Sequence, residues 1–176
     1  MMLSLLLLAC SPSAEDIATA IHSENPVMRE DGAKIAQNYD DEVVVKALLD
    51  VIGDPSDKVR LNAIESLAEL QALDAGPALI ERMQSDPNPA VQRAAADALG
   101  RILYPDAVPA LVAYAQSFSP DDRGQLVAIW AIGRIGFEGL QPEVRKAALA
   151  FLVERRAQAR DRYVLYNISA SLRFMR

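Results

Sequence analysis

A spacing that keeps returning constrains this chain more than any other feature. Asp54-Pro55 and Asp86-Pro87 lie 32 residues apart, and Val59/Val91, Ala63/Ala95, Leu67/Leu99 and Pro77/Pro109 keep the same offset. Ala98-Leu99-Gly100-Arg101-Ile102 returns 33 residues later as Ala131-Ile132-Gly133-Arg134-Ile135, and Pro109 returns as Pro142. One unit earlier, Val27 and Ile35 stand 32 residues before Val59 and Leu67. Self-similarity at this period marks a repeat array, in which each unit buries its apolar side only against its neighbours.

Each unit reads as two helices. Val59, Ala63, Leu67 and Leu70 fall at i, i+4, i+8 and i+11, an apolar stripe at helical period. Asp54 reads as its cap and Pro55 as a first-turn proline. Pro77 opens a shorter second helix carrying Ala78, Leu79, Ile80 and Met83. The third unit repeats the plan over 88–103 and 107–117. The fourth opens at Ser119-Pro120-Asp121-Asp122, read as a capping box, and its first helix stops near Gly136. Gly100 and Gly133 occupy the place of Ala68. A mid-helix glycine costs about 1 kcal/mol against alanine, so close approach of a neighbouring helix is expected there. Ser13 and Asp16 cap a short helix over 14–23. A last helix over 158–175, with Val164, Leu165, Ile168, Leu172 and Met175 on one stripe, forms a half repeat or terminal cap.

The pattern D-P-x-x-x-V-R-x-x-A-x-x-x-L, carried by Asp54, Pro55, Val59, Arg60, Ala63 and Leu67, resembles a HEAT repeat, in the short HEAT-like form known from phycobilisome lyases. The third unit keeps Asp86, Pro87, Val91, Ala95 and Leu99 but moves the arginine to Arg93. The resemblance covers residues 24–155. It implies an all-α fold, a right-handed α–α superhelix (α-solenoid) of about four helix-pair repeats with terminal capping helices, as one domain over residues 14–176. It says little of function, because such repeats serve scaffolds, lyases and DNA glycosylases alike.

The N-terminus carries a separate signal. Met1–Ala9 reads MMLSLLLLA, followed by Cys10, the only cysteine. Leu7-Leu8-Ala9-Cys10 resembles the lipobox of bacterial lipoproteins. The resemblance implies a signal peptide over 1–9, a lipidated Cys10 with a short tether over 10–13, and a lipid-anchored protein of the bacterial cell envelope, on the periplasmic or outer-membrane side. The alternative is an apolar extension packed on the first helix with Cys10 a buried thiol.

Composition narrows the chemistry. A net charge of −6 lacks the Lys/Arg excess that phosphate binding needs, so no nucleic-acid partner is expected. One cysteine and one histidine, His22, leave no multi-thiolate site and no HExxH zinc site. There is no GxSxG elbow and no GxxxxGK[ST] loop. Gly133-Arg134-Ile135-Gly136 matches the GXXG clamp of KH domains, but its recurrence at a helix end favours packing. Asp40-Asp41-Glu42 and Asp121-Asp122 precede helices, where acids cap free N–H groups. No catalytic residue, metal ligand, cofactor or small-molecule substrate is expected, and the chain reads as no enzyme.

Two features point to a partner. Residues 1–140 hold 21 acids and 10 bases, whereas residues 141–176 hold 3 acids and 8 bases. The basic end suits an acidic partner, with Arg155, Arg156, Arg160, Arg162 and Tyr163 as its binding residues. Trp130 stands where the earlier units have Asp97 and Glu65, a place that normally faces solvent. It is either a binding hot spot or a ring tucked under the last helix. The expected function is a membrane-tethered, non-catalytic protein-interaction scaffold. Alternatives are a lyase-like or chromophore-handling HEAT-like protein, and a nucleic-acid-binding one.

Overall fold

The computed structural model describes residues 12–136 and 140–174. The chain divides into two compact units, Met1–Ala78 and Leu79–Arg176. Ten α-helices are formed among the described residues: α1 Ala14–Ile21, α2 Pro26–Ile35, α3 Glu42–Asp50, α4 Asp57–Glu69, α5 Gly76–Ser85, α6 Pro89–Arg101, α7 Val108–Gln116, α8 Leu126–Ile135, α9 Pro142–Gln158 and α10 Arg162–Phe174. None of them is long and apolar enough to cross a membrane.

Stacking follows the repeat. In the first unit α2 packs on α4 and α1 on α3, while α1 also meets α2 and α3 meets α4. In the second unit α6, α8 and α10 form one layer, and α7 packs on α9 in the other. Within each unit, first helices of successive repeats therefore lie side by side, backed by second helices. The equivalent stripe residues Val59, Ala63 and Leu67 of α4, and Val91, Ala95 and Leu99 of α6, are fully buried. At the ends, Ile17 and Ile21 of α1 and Val164 and Ile168 of α10 are buried. Met175 lies outside the described residues.

The two repeat glycines behave as expected. A Cβ on Gly100 would lie 2.7 Å from the Ala131 Cα of α8, and one on Gly133 would lie 2.7 Å from the Ser171 Oγ of α10. Helix backbones meet at these points, and any side chain would push them apart. Gly100→Ala gains about 1 kcal/mol of helix propensity but overpacks a rigid contact, at about 1–3 kcal/mol. A net loss of stability of up to about 2 kcal/mol is expected in urea unfolding. A stabilised variant would contradict the close approach. Gly136 ends α8 at φ 69° and ψ −158°, a region open essentially to glycine alone.

Several helix starts differ from the sequence reading. Asp54 does not cap α4. That helix begins at Asp57, and the Asp54 carboxylate instead accepts the Ser56 N–H at 2.8 Å. Asp86 does the same for Asn88 at 2.9 Å, and Asn88 is the true cap of α6, with Pro89 rather than Pro87 in its first turn. The aspartates fold the approach to each helix, a turn device rather than a helix terminus. The repeat arginine was also misplaced. Arg60 donates to the Asp54 carbonyl at 2.8 Å, and Gln92, not Arg93, donates to the Asp86 carbonyl at 2.8 Å across the same six-residue span. Gln125 reaches the Ser119 carbonyl at 3.0 Å over that span again.

Ser119-Pro120-Asp121-Asp122 opens no α-helix either. Asp122 caps a 3₁₀ turn at Arg123–Gln125, and α8 starts at Leu126. The Asp121 carboxylate is taken instead by the Arg160 and Asp161 N–H groups. Those bonds also explain why the last helix begins at Arg162 and not at 158: the chain turns there, and Asp161 caps α10 through the Tyr163 and Val164 N–H groups at 2.8 and 3.0 Å. The capping box of Ser13 and Asp16 is present in full on α1, and Asp41 caps α3 through the Val43 N–H.

Candidate functional site

The expected binding residues do not form one surface. On α9, Ala148, Phe151, Leu152 and Arg155 fall at i, i+3, i+4 and i+7 and share the buried face. Arg155 is therefore internal, at 7% exposure, and its assignment to a partner surface is corrected. Its guanidinium donates to the Phe118 carbonyl at 2.9 Å and the Ala115 carbonyl at 3.3 Å, and lies 5.2 Å from the centre of the Phe151 ring. It binds carbonyls at the C-terminal end of α7 and just after it, a structural role that keeps its charge from solvent.

Arg156, Arg160, Arg162 and Tyr163 are exposed. The Tyr163 ring, 55% exposed, has the Arg123 guanidinium 5.1 Å from its centre, and Arg123 also meets the Asp161 carboxylate at 3.0 Å. The bonds from Val164 N–H, Arg123 and Tyr163 N–H hold the Asp161 carboxyl below the usual range against the opposing effect of desolvation. Tyr166, 70% exposed, was missed. Its signal was readable: Tyr163 and Tyr166 are three apart on α10, off the Val164–Ile168 stripe. This end therefore presents cations and two tyrosine rings together.

Trp130 lies on α8, 38% exposed. Its ring reaches toward α6, where its Cζ3 lies 3.3 Å from the position a Gly100 Cβ would take. The Arg134 guanidinium stacks on it 5.0 Å from the ring centre. Nearby on α6, burial pushes the Asp97 carboxyl above its usual range, opposed by the charges of Arg101 and Arg134. A half-buried carboxyl, an arginine and an accessible indole thus occupy one α6–α8 face, and tryptophan and arginine are the residues enriched at protein contact points.

A third feature was not foreseen. An open groove of about 540 Å³ lies over α1, α2 and α3, with Ala18, Thr19, Met28 and Val43 in its wall and Glu15 and His22 at its edge. His22 Nε2 stands 3.2 Å from Asp50 Oδ2. Among the described residues no three His, Cys, Asp or Glu side chains converge as a metal site. Cys10 and residues 1–9 lie outside the described residues.

Models of HEAT repeats match residues 14–87 and 76–173. No curated protein matches the sequence. Among solved structures, the chain is similar to the complex of CpcE and CpcF of phycocyanin lyase from Nostoc sp. PCC7120, with a TM-score of 0.76 over 95% of this chain at 19% identity. It spans 66% of that chain, slightly less than two thirds of its length. The likeness speaks to the fold. It also corrects the expectation that the chain is no enzyme: the fold that covers nearly all of it is one on which a lyase is built, so the lack of a nucleophile–histidine pair is no ground for excluding lyase chemistry. On the repeat models alone, which together take in most of its length, the chain belongs to the HEAT-repeat family.

Proposed function

We propose that this chain is a lyase-type HEAT-repeat protein that handles a chromophore-bearing protein in complex with a protein partner. The observation that carries this reading is the fold likeness to the phycocyanin lyase complex over 95% of the chain. The residue chemistry fits a lyase that works by positioning. Joining a reactive chromophore to another protein, or freeing it, requires holding the two in register, which alone lowers a barrier substantially. The nucleophile then belongs to the chromophore's carrier, and this chain needs neither a catalytic cysteine nor a histidine pair.

In this reading the Trp130–Arg134 face of α8 contacts the chromophore-bearing protein. The test combines the chain with phycocyanin polypeptide and free chromophore, and follows colour that stays with phycocyanin through denaturing electrophoresis. Covalent colour should form, or be lost, faster with the chain than without it. Trp130→Ala should weaken capture of the phycocyanin polypeptide by about thirtyfold, the scale of a hot-spot loss. Unchanged attachment rates with no capture of phycocyanin would sink the lyase reading.

We also propose lipid attachment at Cys10, on the strength of Leu7-Leu8-Ala9-Cys10, which stands independently of the lyase reading. Mass spectrometry of the protein from a bacterial host should show residues 1–9 removed and a diacylglyceryl group on Cys10. An unmodified Cys10 behind an intact Met1 would end that proposal.

A further inference from the structure

We infer that the chain associates head-to-tail with a second copy of itself, the tyrosine-bearing basic face of α10 in one copy seated on the groove over α1–α3 of the next. The inference goes beyond the proposed function and does not depend on it. It starts from charge. Residues 1–78 hold 14 acids and 5 bases, whereas residues 141–176 hold 3 acids and 8 bases. The acidic partner that suits the basic end is thus present in the chain's own first unit.

Both surfaces have the makings of a contact. In the groove, Val43 is 46% exposed beside Ala18 and Met28, so apolar surface is open there, and the exposed Glu15 carboxylate lines the same groove. Opposite in character, α10 offers Tyr163 and Tyr166 at 55% and 70% exposure beside the exposed Arg160 and Arg162, with Arg156 on the end of α9. Tyrosine carries a large apolar body and a polar tip, which suits an apolar groove with a charged rim. The α10 arginines would meet the groove's Glu15 carboxylate and the acidic first unit around it. These cations are not all committed within the chain: Arg123, not Arg160 or Arg162, makes the ion pair with Asp161.

Charge also sets which surfaces meet. Two α10 faces repel each other, which disfavours a pairing of like surfaces. Seating the groove of one copy on α10 of the next lets the association extend into rings or open chains. Exposed charges attract through solvent, so the association should weaken with salt.

Sedimentation velocity of the full chain tests this. At low salt, species larger than a monomer should grow with concentration, and raising salt from 50 to 500 mM should disperse them. Arg160→Glu/Arg162→Glu, Tyr166→Ala and Glu15→Arg should each weaken association at least tenfold, with the circular dichroism of the folded chain retained because all four sites are exposed. The decisive arm mixes two variants that are monomeric alone. Glu15→Arg keeps a sound α10 face and Arg160→Glu/Arg162→Glu keeps a sound groove, so together they should form a 1:1 pair. Monomers at all concentrations, association indifferent to salt and to these variants, or a mixture that stays monomeric would each overturn the head-to-tail contact.

Discussion

Truncating Leu67 or Leu99 to alanine should cost about 2–5 kcal/mol of stability, the range for large-to-small changes in a packed core. Both side chains are fully buried at the same register of successive first helices. The spread in such costs depends on how far neighbours can collapse into the space left behind, and here two fixed contacts resist collapse. Beside Leu99, Gly100 sets the approach of α6 to the α8 backbone. Beside Leu67, the Ser66 hydroxyl donates to the Ala33 carbonyl at 2.6 Å and ties α4 to α2. Neither helix pair can close up without breaking one of these, so both variants belong in the upper half of the range. Urea unfolding followed by circular dichroism measures it, with Tyr166→Ala as an exposed control expected within about 0.5 kcal/mol of the parent. Losses below about 1 kcal/mol at both leucines would mean that stacking of the repeats is not what holds the units together.

These positions show what was legible in the sequence. The 32-residue offset marks the stripe residues, and every stripe residue it marks in α4 and α6 is buried. Glycine in place of Ala68 announces a close backbone approach, and the helices meet there. Helix starts were less legible, because aspartate before proline serves two devices with one spelling. It can cap a helix directly, or receive an N–H two residues on and set up a turn, and Asp54 and Asp86 do the second. Gln92 escaped notice because a pattern of letters tracks arginine, whereas the loop carbonyl needs only a donor of sufficient reach.

The binding surface was harder still. Net charge locates the basic end but cannot say which cations face solvent. The spacing Ala148, Phe151, Leu152, Arg155 held that answer for Arg155, since a residue on a helix's apolar stripe is buried whatever its charge. Trp130 breaks the run of acids at Glu65 and Asp97, yet the approach of its ring to α6 depends on the space that Gly100 leaves, thirty positions away. The groove over α1–α3 has no sequence signature at all. Its wall residues, Ala18, Thr19, Met28 and Val43, come from three helices and share no period.

Asp54→Ala should be as damaging as a core truncation, at about 3–5 kcal/mol, because it removes one partner of a buried ion pair and leaves the other behind. The Asp54 side chain is 6% exposed and that of Arg29 17%. The carboxylate receives two bonds from the guanidinium, at 2.7 and 3.1 Å, and a third from the Ser56 N–H. Arg29 keeps its bonds to the Ser23 and Glu24 carbonyls in the variant, which places the loss toward the lower end. Asp54→Asn separates charge from shape. Its amide oxygen still accepts from Ser56, so the loss should fall to about 1.5–3 kcal/mol, the worth of a bond to a charged group. Acidity adds a signature that packing cannot imitate. Burial acts to raise the Asp54 carboxyl, but the bonds from Arg29 and Ser56 and the charges of Arg29 and Arg60 outweigh it and hold the group below its ordinary value of 3.8. A depressed carboxyl stabilises the fold fully above its unfolded value and loses that contribution as pH falls through the folded one. The gap between parent and Asp54→Asn should therefore be constant from pH 6 to 8 and close below about pH 4. A gap that stays the same down to pH 2.5, or widens, would show that the carboxylate's charge does not hold this turn.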